Sequence, residues 1–290
     1  MSNPQMSYRI IKAERRSPHL GAFIEGVDLT QALDEATVAE IKAALLEFGV
    51  IFFRDQHITG EQHLAFAANF GELDTPHPVF DNDALDPRLT IIESKGRAHD
   101  DEHYWHTDVT YQEAPSFGSI LAAKKIPESG GDTLFASMYA AYDTLSPPLQ
   151  RLCEELTAQH SFERGWGATF RMYEGGLDKL HELNKVFPLM THPVLRTHPE
   201  TGRTALFVNE YYTLRINELS EAESNDLLRL LHHHSQLPDF QIRHSWREGD
   251  IAFWDNRCTQ HYASNDYGAA HRIMNRVTIV GDKPYYRKTG

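Results

Sequence analysis

The chain has 290 residues and carries 28 Lys and Arg against 41 Asp and Glu, a net charge of −13. That length suits a single β-rich or mixed domain with insertions, and the acidity excludes a broad electrostatic footprint for nucleic acid. The two cysteines, Cys153 and Cys258, read as reduced thiols in a cytoplasmic protein, because MSNPQMSYRI lacks the apolar core of a secretory signal. No run of about 18 apolar residues suggests a membrane span.

YRIIKA and GAFIEGVDL read as strands. A helix is expected from Glu35, with Val38, Ile41, Leu45 and Phe48 on one face at helical spacing. VIFF reads as a buried strand, and Thr59-Gly-Glu-Gln62 fits a capping box opening a second helix. From Leu89 the pattern becomes mostly β: LTIIES, YWHTDVTY, GSILAAKK and GDTLFAS are short strands broken by Gly, Pro and charges. Short helices are expected near Met138–Leu145 and Pro147–Leu156. The stretch 163–190 reads as an irregular active-site loop or lid within one domain spanning 1–290. Ser220-Glu-Ala-Glu223 caps a further helix. FQIRHSW, DIAFWDN and RIMNRVTIVG close the chain as strands. Many short strands with inserted helices predict a mixed β fold with α insertions, a β-sandwich or jelly roll with helical flanks.

Within YWHTDVTY, read as a strand, His106 and Asp108 share one face. An imidazole beside a carboxylate suits a divalent metal. Two histidines and one carboxylate on one face of an octahedron give the non-haem Fe(II) oxygenase arrangement, with three positions open. The spacing alone is weak, since polar strands carry such pairs by chance. Among 17 histidines, the run 232–234 ends a leucine-rich helix and reads as a solvated terminus. His63, His160, His181, His192 and His198 have no distinctive setting. His261 follows the apolar strand IAFW, where a jelly roll could return a late strand beside an early one. Arg272 and Arg276 share a parity with Met274 and Thr278. Two cations facing one side of an apolar strand are costly to bury unless anions meet them, and a guanidinium grips a carboxylate with two hydrogen bonds. A surface-facing strand with two solvated arginines is the bland alternative.

Together WHTDVTY, GGDTLFAS, THPVLRTHPETGR, LFVNE, WDNRCTQHYASNDY and HRIMNRVTIVGDKPYYR resemble the Fe(II)- and 2-oxoglutarate-dependent taurine dioxygenase (TauD/TfdA) family, which also holds alkylsulfatases and phenoxyalkanoate dioxygenases. The likeness runs from GAFIEGVDL to the C-terminus. It implies a double-stranded β-helix, a cupin-like jelly roll flanked by helices, and dimers or tetramers as the assembly. It implies Fe(II) as cofactor, 2-oxoglutarate and O2 as cosubstrates, and succinate and CO2 as co-products of a hydroxylation. His106, Asp108 and His261 would then be iron ligands. Arg272, helped by Thr133, would hold the distal carboxylate of 2-oxoglutarate. Arg276 would sit nearer the metal, against the substrate and the other end of 2-oxoglutarate.

His77 in HPVF corresponds to a histidine that holds the sulfonate in taurine enzymes. Where those enzymes carry a tyrosine and an asparagine at the amine end of taurine, this chain has Phe80 and Glu102. The Phe80 side chain cannot hydrogen-bond an amine; Glu102 could pair with a cation if it points inward, but it stands in an acidic run whose bland reading is a solvated loop. Trp166 and Tyr212 correspond to the family's pocket aromatics, or are ordinary packing. The reading is a small anionic substrate, an organosulfonate or alkyl sulfate, with a tail unlike taurine's. A phenoxyalkanoate dioxygenase and a natural-product hydroxylase or desaturase are alternatives in the same family. A zinc metallohydrolase, or a non-catalytic jelly-roll binding protein, is the alternative from another class; neither would need Arg272 and Thr133 as a carboxylate receptor.

Overall fold

The computed structural model describes residues 8–94, 104–172 and 174–288. Glu102 lies outside them. Among the described residues the core is an eight-stranded sheet facing a three-stranded one. The centre of the large sheet runs Val50–Phe53, Ile251–Asp255, Gly118–Lys125, Arg272–Ile279 and Thr90–Ser94, each antiparallel to the next. The smaller sheet sets Thr133–Ser137 between Gln241–His244 and Thr259–Ala263. This is the double-stranded β-helix that the family resemblance implies, a jelly roll with helices packed outside it.

Side-chain alternation builds two cores from one sheet. Ile51, Phe53, Ile120, Ile251, Phe253, Val277 and Ile279 face outward onto the helices Glu35–Phe48 and Gly60–Ala68, where Ile41, Leu45, Phe48 and Phe66 meet them. The alternate residues Phe52, Leu121, Ala123, Ala252, Trp254 and Met274 face inward, onto Phe135 of the small sheet. Both helices start as the sequence indicates. The Asp34 carboxylate accepts from the Thr37 N–H, and Thr59 with Gln62 completes a capping box; such caps satisfy N–H groups that the helix leaves unpaired. Ser220 and Glu223 form a second capping box at the helix Glu221–Ser235.

Three expectations fail. YWHTDVTY is not a strand: His106 makes a single bridge to His261, and the chain then turns. Val109 takes φ +47°, a left-handed conformation that a β-branched residue adopts only when its surroundings impose it. The stretch 163–190 is not irregular, since it holds the helices Phe162–Arg171 and Gly176–Val186. The helix end at 232–234 is not wholly solvated. His232 is buried, and His234 Nε2 lies 3.0 Å from the Ala141 carbonyl. His63, His160, His192 and His198, which carried no signal in the sequence, are all buried.

Candidate metal centre and substrate pocket

The bridge between His106 and His261 brings an early turn against a late strand. Each backbone N–H donates to the other's carbonyl, at 3.0 and 2.8 Å. The two imidazole Nε2 atoms then lie 3.9 and 3.8 Å from Asp108 Oδ1. The i, i+2 parity of a strand is not what aligns His106 with Asp108; the turn does. It is pinned by Thr107 Oγ1, which donates to the Thr259 carbonyl at 2.9 Å. Behind it the Thr110 hydroxyl meets His160 Nδ1 at 2.9 Å and accepts from Asn209 Nδ2 at 3.1 Å, while His192 Nε2 lies 3.0 Å from the carbonyls of Thr110 and Gln112.

The donor set suits a divalent metal. All three ligand atoms are buried and lie within 4.8 Å of one another. His106 Nδ1 is 2.8 Å from the Tyr104 carbonyl, which places its proton there and leaves Nε2 as the lone-pair nitrogen. Burial, then the nearby His106, pushes the His261 imidazole down to about 3, so it is neutral and can ligate. Burial alone would raise the Asp108 carboxyl; His261, Arg276, His106 and the Ser119 hydroxyl outweigh it and hold the group well below the usual carboxylate range. Imidazole lone pairs turned toward a firm carboxylate are the donor arrangement that binds an M²⁺ ion.

Arg272 and Arg276 face inward on their strand beside Met274, and both are buried. A cavity between the sheets is lined by both arginines, His106, His261, Thr133, Leu121 and Trp254. Thr133 Oγ1 accepts from the Trp246 indole at 3.0 Å, so its own proton is left to donate. Gly131, at φ +72°, lets the Arg272 stem pass; a Cβ there would stand 3.3 Å from Arg272 Cδ and Nε. The GGDT motif thus gives the arginine room and supplies the hydroxyl beside it.

On the other side of the candidate metal position the site is aromatic. Arg276 Nη1 is 3.4 Å from Asp108 Oδ1, its guanidinium lies 5.1 Å above the Phe80 ring, and its Nε finds no hydrogen-bond partner among the described residues. His77 stands beside them: its Nδ1 accepts from the Val79 and Phe80 N–H groups at 3.2 and 3.4 Å, so Nε2 carries the proton. Burial, then the Arg276 charge, holds that imidazole well below its ordinary value, hence neutral. Trp166, on the helix Phe162–Arg171, meets His77 and Phe80 at ring separations of 5.5 and 5.3 Å. Tyr212 lies 6.3 Å from His106, but the neighbouring Tyr211 is nearer, at 5.5 Å, and 5.6 Å from Trp166. Tyr211, Ser119 and Asn256 belong to this site and had no sequence signal, because each acts through neighbours that only the fold assembles.

Two imidazoles and a carboxylate converging inside a double-stranded β-helix, next to buried arginines, mark the non-haem iron oxygenase class. Residues 12–278 match the family described as "Taurine catabolism dioxygenase TauD, TfdA family", and the chain belongs to it. It is 37% identical over 97% of its length to 88% of an alkylsulfatase from Acinetobacter baylyi. It is 39% identical over 91% of its length to 88% of an alpha-ketoglutarate-dependent sulfate ester dioxygenase from Pseudomonas putida. A solved taurine dioxygenase from Burkholderia xenovorans superposes with a TM-score of 0.82 at 38% identity, over 95% of this chain and 91% of that one. The protein is a 2-oxoglutarate-dependent dioxygenase, an oxidoreductase that uses Fe(II), 2-oxoglutarate and O2. No helix among the described residues is long and apolar enough to cross a membrane.

Proposed function

We propose that the protein hydroxylates an alkyl sulfate ester or a related organosulfonate at the carbon next to the sulfur-bearing group. The observation that carries this reading is Arg276, a buried cation that faces Asp108 on one side and a wall of Phe80, Trp166 and His77 on the other. An anionic head fits a guanidinium fork and one neutral N–H donor; an apolar chain fits the aromatic wall. Among the described residues, the polar groups of this wall suit an anion rather than an amine. The similarity to sulfate ester enzymes points the same way.

In this reading His106, Asp108 and His261 hold Fe(II). The iron supplies activation of O2, coupled to decarboxylation of 2-oxoglutarate. Arg272 and the Thr133 hydroxyl receive the distal carboxylate. Arg276 and His77 Nε2–H fix the substrate head, so that the adjacent C–H faces the metal. The helices Phe162–Arg171 and Gly176–Val186 cover the pocket and exclude water, with Trp166 as the part that touches substrate. The overall reaction turns alkyl sulfate, O2 and 2-oxoglutarate into aldehyde, sulfate with a proton, succinate and CO2.

The test is succinate release with Fe(II) and 2-oxoglutarate on a panel of medium-chain alkyl sulfates, alkanesulfonates, taurine and a phenoxypropionate, with sulfate or sulfite measured alongside. Alkyl sulfates are expected to give succinate and sulfate in equal amounts. Succinate stimulated by the phenoxy acid alone would overturn the substrate class and place the enzyme with the phenoxyalkanoate branch.

A further inference from the structure

The metal-facing carboxylate is held from behind by a chain of buried polar groups. Trp254 and Ser119 are register partners on adjacent antiparallel strands, and the turn after Asp255 brings Asn256 beside them. The Trp254 indole N–H donates to Asn256 Oδ1 at 2.9 Å; Asn256 Nδ2 donates to Ser119 Oγ at 3.1 Å; the Ser119 hydroxyl donates to Asp108 Oδ2 at 2.6 Å. Asn256 Oδ1 also faces the Asp108 backbone N–H at 3.4 Å. All four residues are at most 4% exposed, so water cannot replace a lost link.

The direction of this chain is fixed by its end. An indole nitrogen can only donate, so the Asn256 oxygen must face Trp254. That forces the amide NH2 toward Ser119, and the single hydroxyl proton of Ser119 toward Asp108. Oδ2 is thereby engaged as an acceptor. Oδ1 is left facing both imidazole Nε2 atoms and the Arg276 guanidinium. A hydroxyl to carboxylate contact of this length is among the stronger hydrogen bonds a protein makes.

We propose that Ser119, oriented by Asn256 and Trp254, is a positioning residue that fixes Asp108 so that one oxygen, Oδ1, is presented to the metal. The inference rests on reading His106, Asp108 and His261 as the iron ligands. Without Ser119, Oδ2 loses its buried donor, and the carboxylate is free to rotate about its Cβ–Cγ bond or to turn both oxygens to the metal. Either change alters the metal's ligand field, which loss of packing alone does not.

The experiment is anaerobic titration of the metal-free full-length protein with Co(II), followed by its visible ligand-field spectrum, for wild type, Asp108→Ala, Ser119→Ala and Asn256→Ala. Ser119→Ala removes one oxygen and keeps the strand pairing. It is expected to raise the Co(II) Kd about 10–100-fold and to shift the spectrum. Asn256→Ala, one link further out, reads the same chain if Ser119→Ala does not fold, with a smaller rise and a shift in the same direction. A wild-type Kd and spectrum in Ser119→Ala would overturn the proposal. So would a defect in Asn256→Ala with none in Ser119→Ala. If the wild type fails to bind Co(II), or Asp108→Ala binds it as well, the ligand assignment itself falls, and the two failures are told apart.

Discussion

Arg276 carries the heaviest local demand in the site. It is a buried cation whose close anion among the described residues, Asp108 Oδ1, also faces the two imidazoles of the candidate metal position. A substrate anion is the natural complement, because hydrogen bonds to charged groups in such a setting are worth about 1.5–3 kcal/mol. Lysine keeps the charge but loses the planar fork and the stacking on Phe80. Arg276→Lys is therefore expected to lower kcat/KM for an alkyl sulfate about 10–100-fold, mostly through KM, as read by steady-state succinate release. An unchanged KM would take Arg276 out of the substrate site. Phe80, whose ring lies 4.7 Å from His77, is where the apolar wall can be made polar at one atom. Phe80→Tyr is expected to raise the ratio of kcat/KM for taurine over that for an amine-free alkanesulfonate of similar length. An unaltered ratio would detach Phe80 from tail selectivity.

The elements around the site were unequally legible in the sequence. Helix starts declare themselves locally at Thr59 and Ser220, which act as the caps their motifs indicate, and the start at Glu35 is capped by Asp34. That Arg272, Met274 and Arg276 share one face was readable from alternation alone; that this face is the inner one is shown by their burial in the fold. The turn at His106–Gln112 was not. Its residues have strand propensity, and what bends it is tertiary: the bridge to His261, and the clamps from Thr259, Asn209, His160 and His192. Propensity lost to that framework, and the cost is visible at Val109. The helices over 162–186 were missed for a related reason, as two glycines, Gly165 and Gly167, dilute the helical pattern of the first. Gly165 is needed because a Cβ there would come within 2.6 Å of the Tyr212 ring. The strain at Val109 can be measured. Alanine ordinarily exceeds glycine in stability, but at φ +47° it keeps a steric cost of about 1–2 kcal/mol that glycine sheds. Val109→Gly is expected to be at least as stable as Val109→Ala in urea unfolding. The reverse order would show that the turn is not strained.

At the scale of the whole molecule, the buried histidines set the response to acid. Burial is the first cause at each: the imidazole of His63 is pushed down to about 3, and those of His192 and His232 to about 4. None of the three is a candidate metal ligand, although His192 meets the turn that carries Asp108, through the Thr110 carbonyl. In the unfolded chain each would take a proton near pH 6.5; in the folded chain each stays neutral well below that. Between these values the unfolded state binds more protons, so stability falls as pH drops. The contribution is fully present above about pH 6.5. It is lost progressively below that, until His192 and His232 protonate in place near 4 and His63 near 3. Each such histidine contributes a slope that approaches about 1.4 kcal/mol per pH unit once the unfolded chain is fully protonated. His63 is the cleanest probe, since its ring is buried against the large sheet with Nε2 3.2 Å from the Ile120 carbonyl. Glutamine there offers an N–H for that carbonyl and does not titrate. Metal-free wild type and His63→Gln are to be compared by urea unfolding from pH 7 to pH 4.5. The variant is expected to lose stability less steeply with falling pH, with the slope reduced by about 1.4 kcal/mol per unit at the acid end. Equal slopes would mean that His63 accepts a proton in the folded protein as readily as in the unfolded one, which its burial beneath Ile120 and beside the Lys124 ammonium does not allow.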